Sequence, residues 1–298
     1  MGSAVRPQGA MRWGVERRLA FIDFRLFWEG VANRSDLTRR FGISGQQASA
    51  DFARYAEVAP GNAVYDRSRK RYEAAAGFRP AIVKPDAARY LAELRLIGDG
   101  VADGADSWLG SLPSFDVVPG PSRRIDPEIL KQCIAAVRGR TSLEVLYQSM
   151  SRPEPEWRRL SPHAFAFDGF RWHARACCHR DGTFKDFVLA RMTAARVAAA
   201  AAAAPEADQD WHTRVRVIIG PHPELSEGQR RAIEADYAMT GGVAVMDVRS
   251  CFLFYVLKRF GLDVDASGRR PQDQHIVLLN RDDVMAALAI RRERVEAC

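Results

Sequence analysis

The chain has 298 residues, 47% hydrophobic and 27% charged, enough for two or three domains with their own cores. Its five cysteines (Cys133, Cys177, Cys178, Cys251, Cys298) include no C-x-x-C pair, which argues against a secreted disulfide framework or a zinc ribbon. No run reaches the ~18 uncharged apolar residues of a membrane helix, and Met1 to Met11 contain no apolar signal core, so a cytoplasmic chain without anchor or leader is expected.

The net charge of +7 is unevenly placed. Residues 1–80 carry 14 Lys+Arg against 8 Asp+Glu, whereas residues 81–298 carry 30 against 29. One module fit to meet a polyanion explains this distribution, and so does a solvated basic face.

Residues 15–29 are apolar at Leu19, Ile22, Phe24, Leu26 and Phe27 with charges between, which predicts a helix ended by Gly30. A second, shorter helix is expected after Ser35, running through Leu37 to Phe41 and closed by Gly42 in the left-handed conformation. A third opens at Ser44 with Gln47 at capping-box spacing and turns Ala48, Phe52 and Tyr55 inward. Helix, tight Gly turn, helix is the spacing of a helix-turn-helix. Val64-Tyr65, then Asp66 to Arg71, then Tyr72 read as a hairpin with a basic tip, that is, a wing.

A helix at 86–97 (Leu91, Leu94, Ile97) precedes a Gly/Pro/Ser-rich connector, and Asp126-Pro127 opens a helix to about Arg138. The pattern then changes to period two: 143–149, 157–161, 163–167, 170–178 and 184–192 read as five short strands, with Asp168-Gly169 as a hairpin turn. They suggest a small closed or half-open β-barrel. The alanine run 198–204 reads as a helix end or boundary. Beyond it, strands at 214–220, 243–248 and 276–280 alternate with helices capped at Ser226, at 251–261 and from Asp282, as in a compact α+β domain.

In a helix-turn-helix the exposed start of the third helix reads base edges, which here offers Ser44, Gln46, Gln47 and Ser49, with Arg54 further along. A Gln amide suits adenine, while Gln47 serves equally as a capping residue. Arg67, Arg69, Lys70 and Arg71 suit phosphate or minor-groove contacts. Arg39 adds a backbone contact unless Asp36 or Asp51 holds it or its neighbour Arg40 in an ion pair.

In the barrel, alternation puts His173, Arg175, Cys177 and His179 on one face of a strand and Trp172, Ala174, Ala176 and Cys178 on the other. A metal reading fails on the charge of Arg175 and on the lack of a nearby carboxylate. With Tyr147, Ser161, His163 and Arg191 the same face suits an anion such as a nucleotide, or else forms a polar interior or dimer seam. A hydrolase built on Ser161 or Ser149 with His163 or His173 lacks the surrounding motif that such a pair needs.

The strand FRWHARACC followed by FKDFVLARM resembles the WYL domain, a small Sm-like β-barrel found in ligand-sensing bacterial regulators. Its namesake triplet stands here as Trp172-His173-Ala174, and Asp186, Phe187, Val188, Leu189 and Arg191 follow the pattern of the subgroup beside phage-defence operons, the CapW/BrxR type. GISGQQASADFARY (42–55), the wing, LSPH (160–163) and RSCFLFYVLKRFGLD (249–263) extend the likeness. The resemblance implies a winged helix on an inverted repeat and a WYL pocket for a nucleic-acid-derived signal, at Ser161, His163, Trp172, His173, Arg175 and Arg191.

The expectation is therefore an α+β multidomain chain: a winged helix-turn-helix at 1–80, a helical linker at 81–125, a WYL barrel at 126–205 and a dimerisation domain at 206–298. It would act as a homodimeric repressor of a phage-defence operon on double-stranded operator DNA, released by a nucleotide or nucleic-acid-derived effector. No cofactor, metal or catalytic role is expected. An activator of the same architecture and a nucleic-acid-processing enzyme are the alternatives.

Overall fold

The computed structural model describes residues 13–104, 107–121, 123–201, 203–265 and 268–296; Met1 to Met11 and Cys298 lie outside the described residues. The chain forms two compact units, residues 1–121 and 122–298.

The first unit opens with α1 (Trp13–Glu29), ended by Gly30 at φ +71°. After the two-residue strand β1 (Val31–Ala32) come α2 (Arg34–Phe41) and α3 (Gly45–Val58). Asn33, not Ser35, caps α2: Asp36 Oδ2 accepts from the Asn33 N–H at 2.7 Å, and Asn33 is extended. Ser35 has the right chemistry but already lies one residue inside the helix. Gly42 takes the left-handed conformation at φ +63°, which closes α2 and lets the α3 cap Ser44 follow two residues on.

Leu19, Ile22 and Leu26 of α1, Leu37 of α2 and Ala48, Phe52 and Tyr55 of α3 form one buried cluster. The hairpin of β2 (Ala63–Asp66) and β3 (Arg71–Ala74) joins it through Tyr72, whose ring stacks on Phe52 at 3.9 Å. Strand order β1-β3-β2 completes the winged-helix arrangement.

The expected connector is packed rather than free. Leu94 of α4 (Ala87–Gly98) and Leu109 form a cluster with Phe24, and the Trp108 ring meets Phe21 and Phe24 edge-on. Two buried carboxylates of α1 hold it: Glu29 accepts from Gly110 N–H at 2.7 Å and Ser111 N–H at 3.1 Å, and Asp23 Oδ2 accepts from Ala81, Ile82 and Val83 N–H at 3.1, 2.9 and 3.0 Å.

In the second unit α5 (Pro127–Gly139), capped by Asp126, lies on a five-stranded antiparallel sheet. Its strands are β4 (Thr141–Tyr147), β5 (Glu156–Phe167), β6 (Trp172–Cys178), β7 (Phe184–Val188) and β8 (Met192–Ala201), in the order β7-β6-β5-β4-β8. Among the described residues the sheet is open at both ends, and its edge strands are joined by the single 3-10 turn Leu189–Arg191.

Three expectations change here. The segments 157–161 and 163–167 are one strand, because Pro162, which lacks an N–H, falls at a register shift and leaves His163 as an unopposed bulge residue. The alanine run enters β8 as far as Ala201, since pairing with β4 overrides the helical preference of alanine. The Asp168-Gly169 turn is a hairpin of four loop residues, 168–171, with Gly169 at φ +99°.

A short helix α6 (Gln209–His212), unforeseen in the sequence, leads into β9 (Arg214–Pro221). Then follow α7 (Glu227–Asp236) with its full capping box at Ser226, β10 (Ala244–Arg249), α8 (Leu253–Arg259), β11 (Ile276–Leu278) and α9 (Arg281–Glu296). The sheet β10-β9-β11 packs Val217 and Ile219 against Leu253, Leu257 and Val284.

Asp23 also accepts from the Tyr55 hydroxyl at 2.6 Å, so one fully buried carboxylate links α1, α3 and the chain after the wing. Asp23→Ala leaves four donors short of an acceptor. At about 1–3 kcal/mol for each buried unsatisfied group, the first unit is expected to lose at least about 4 kcal/mol, read as a lower urea midpoint; an unchanged midpoint would show that the latch carries no stability.

Candidate nucleic-acid interface and sensor site

The first turn of α3 is presented to solvent: Ser44, Gly45, Gln46 and Gln47 are exposed while Ala48, Asp51, Phe52 and Tyr55 face the core. Ser44 Oγ accepts from Gln47 N–H at 3.1 Å. The reciprocal half of the capping box is missing, because the Gln47 amide instead donates to Asp51 Oδ1 at 3.1 Å. Gln46 thus has the freer amide. Ser49 is half-buried and tied on both sides, donating to Gly45 O at 2.9 Å and accepting from Arg34 at 3.3 Å; Arg34 is a basic neighbour that the sequence pattern did not mark. Arg54 is exposed one turn further on.

The carboxylates expected to hold Arg39 or Arg40 are engaged elsewhere. Asp51 takes Arg18 at 2.6 Å and Asp36 faces Arg25 at 3.5 Å, because α1 lies against both. Arg39 is exposed.

At the wing tip the four basic residues divide. Arg71 and Arg69 both reach Glu73, at 2.7 and 3.2 Å, whereas Arg67 and Lys70 are exposed and, among the described residues, have no carboxylate in ion-pair range. Asp66 ties the turn by accepting from Ser68 and Arg69 N–H, and these hydrogen bonds, that of the Ser68 hydroxyl foremost, lower its carboxyl from the usual range. Lys70 holds φ +52°, a left-handed conformation costing an L-residue roughly 1–2 kcal/mol.

The alternation expected for β6 holds. Ala174, Ala176 and Cys178 enter the core under α5, while His173 and Arg175 point to the other face. That face is closed by the chain after β8 and by α8. Arg175 is 1% exposed; its Nε and Nη2 donate to Asp208 Oδ2 and Oδ1 at 2.7 and 2.8 Å, and its Nη1 donates to Asp186 Oδ1 at 3.2 Å.

His163, set off by the bulge in β5, lies 2.9 Å from the same Asp208 Oδ2. Asp210 stands 4.0 Å from Arg175, and Arg291 faces both Asp186 and Asp210. The expectation of no nearby carboxylate is therefore overturned: Asp186 stands opposite Arg175 on the paired strand β7, and Asp208 and Asp210 arrive from a segment 33 and 35 residues along the chain.

The other expected sensor residues separate. His173 Nε2 meets Asp168 Oδ2 at 3.0 Å and its Nδ1 is buried without a partner. Ser161 Oγ accepts from Ala203 N–H at 3.0 Å, leaving its own proton for His179 Nε2 at 2.6 Å. Burial and, after it, the nearby Arg159 lower the His179 imidazole from its usual value, consistent with a neutral ring accepting that proton. Tyr147 is in the core, its ring on Phe187 and its hydroxyl accepting from Val188 N–H. Trp172 is half exposed beside Phe167, away from Arg175, and Arg191 is half-buried at the 3-10 turn.

Known proteins match across this architecture. The family described as the BrxR transcriptional regulator winged helix-turn-helix domain matches residues 14–96, the WYL domain 128–197 and the BrxR transcriptional regulator C-terminal dimerization domain 214–284. A DNA-binding transcriptional repressor CapW of Stenotrophomonas maltophilia is 42% identical over 275 residues, 92% of each chain. The chain belongs to the BrxR/CapW family of WYL-domain regulators.

Repressors of the same name from Escherichia coli and Pseudomonas aeruginosa are each 39% identical, covering 94% and 93% of this chain and 94% and 92% of their own. A solved proteasome accessory factor B/C of Arthrobacter aurescens is 16% identical at a TM-score of 0.27, with this chain spanning 52% of its length.

Within this BrxR/CapW member the buried carboxylates set a pH dependence. Burial alone would raise Asp168, but hydrogen bonds from His173 and from the backbone and side chain of its own turn outweigh it and hold the carboxyl at about 2; Asp208, bound by Arg175 and His163, is lowered further. A carboxyl depressed in the folded state stabilises fully above its unfolded value and loses that contribution as pH falls through the folded one. Stability of the second unit should drop between about pH 4 and about pH 2, and Asp168→Asn should flatten that drop in calorimetry. An equally steep drop in the variant would rule out this assignment.

Proposed function

We propose that this chain is a homodimeric, ligand-responsive transcriptional repressor of a phage-defence operon. In this reading residues 1–80 bind an inverted-repeat operator, 81–125 link, 126–205 sense a nucleotide or nucleic-acid-derived effector in a Sm-like WYL pocket, and 206–298 pair two protomers. It is a regulator and not an enzyme. The observation that carries the proposal is the solvent-facing first turn of α3, beside a wing whose tip keeps Arg67 and Lys70 unpaired among the described residues.

Gln46 is positioned to read one base by a bidentate contact, and Ser44, Gln47, Ser49, Arg54 and Arg39 line or flank the same helices. Arg67 and Lys70, with Arg69 and Arg71 behind Glu73, set affinity through phosphates. A left-handed Lys70 where glycine would be unstrained supports a demand for charge at that spot. The names of the relatives favour repression over activation.

Footprinting of the DNA upstream of the neighbouring operon tests the proposal, with a palindrome protected in half-sites spaced by whole helical turns as the expected result. Gln46→Ala should cost about 1–3 kcal/mol and relax preference at one base pair in each half-site. Arg67→Ala with Lys70→Ala should weaken binding uniformly across sequences and reduce the salt slope by about 1–2 per wing. No protected palindrome, or binding indifferent to both changes, would sink the reading; a reporter that rises with the protein would assign activation instead.

A further inference from the structure

We infer that Asp208 is a resident occupant of the sensor site, an internal anion that the effector must displace, and that its displacement is what carries the signal out of the WYL sheet. This rests on the reading of the chain as a ligand-responsive regulator. The observation behind it is that the planar fork of Arg175 is filled edge-on by a carboxylate that does not belong to the sheet.

Asp208 presents two oxygens to Nε and Nη2 of Arg175 and is met by His163 on the same edge and by Trp211 N–H at 3.2 Å. A bidentate arginine with an added imidazole is the donor set that receives a phosphate as readily as a carboxylate. Asp208 lies on the segment between β8 and β9 and caps α6, so its carboxylate, on leaving Arg175, also gives up the cap that holds that segment. The same segment enters β9, the central strand of the C-terminal sheet. The Trp211 ring packs against His163 at 5.4 Å and Phe252 at 5.7 Å, with the Arg249 guanidinium 4.3 Å from its centroid, so it registers any such movement.

Charge selects what replaces the carboxylate. Asp186 and Asp210 remain beside Arg175 and Arg291 after Asp208 leaves. A singly charged phosphodiester restores the original balance, whereas a doubly charged phosphomonoester adds a negative charge between two aspartates. The site therefore takes a phosphodiester, the linkage of a nucleic-acid fragment.

The test uses the full chain and thymidylyl-thymidine, with its neutral methylphosphonate analogue as control. Asp208→Asn should bind the diester at least about tenfold more tightly than wild type, because the self-occupied form no longer competes, and the methylphosphonate should bind neither. In wild-type protein labelled with 5-fluorotryptophan, the Trp211 resonance, assigned through Trp211→Phe, should shift on adding the diester. A folded Asp208→Asn with no gain in affinity overturns the inference; should that variant fail to fold, an unmoved Trp211 resonance at the highest attainable diester concentration overturns it alone. Operator binding by the ligand-free protein is scored separately, so its absence defeats the regulator reading and its presence with no gain in the variant defeats only the role of Asp208.

Discussion

A charge removed from water must find its partners inside the protein, and in this chain that requirement decides where the irregular segments go. Asp23 is fully buried, and three consecutive backbone N–H groups and one hydroxyl close on it. Arg175 is 1% exposed and draws in carboxylates from β7 and from the segment after β8. In each unit a stretch without apolar periodicity is fixed by a single buried ion. Apolar side chains such as Ile82, Val83, Leu109 and Trp211 pack both stretches, and the polar contacts fix their register.

Arg175 owes its environment to strand geometry. Alternation along β6 sends Ala174, Ala176 and Cys178 under α5 and leaves His173 and Arg175 on the far face. Pro162 then breaks the ladder of β5 opposite, and the resulting bulge gives His163 a direction that a regular strand would not. One missing N–H thus brings an imidazole to the same carboxylate oxygen as the guanidinium. The proline thereby adds His163 to the group that Arg175, Asp186 and Asp208 form.

Much of the first unit was legible in the sequence because its determinants are local. Gly42 and Ser44 set the turn between α2 and α3, and Asp66 to Arg71 set the wing, all within a few residues of the structure they cause. The same locality explains the near misses: Ser35 and Asn33 are both competent caps two residues apart. What stayed hidden was long-range. The faces of β6 could be read from period two, but Asp208 lies 33 residues beyond Arg175 after an alanine run with no pattern of its own. The expectation that this face lacked carboxylates failed for that reason at Asp208 and Asp210, whereas Asp186, opposite Arg175 on β7, was within reach of the period-two reading; Tyr147 was misplaced because its inward position on β4 is a core position. The division of the wing arginines by Glu73 depended on cross-strand geometry at the tip, where every basic residue looks alike in sequence.

The buried cluster around Arg175 is hard to account for as a device for stability. Replacing a buried ion pair by packed apolar residues is often neutral or stabilising, by up to several kcal/mol, whereas removing one partner is strongly destabilising. A sheet needing only to be stable could have used leucine at position 175 and an apolar side chain at position 208, as it does a few ångströms away under α5. What the ion pair provides and an apolar contact does not is an exchangeable partner. A leucine side chain has no competitor in solution, but a carboxylate seated in a guanidinium fork has every phosphate as one. An interface with two available occupants is a two-state element, and the segment carrying one of them runs straight into the central strand of the C-terminal sheet. In the proposed reading such an element lies between the WYL sheet and the C-terminal domain, and a buried charge supplies it where a hydrophobic seam would not.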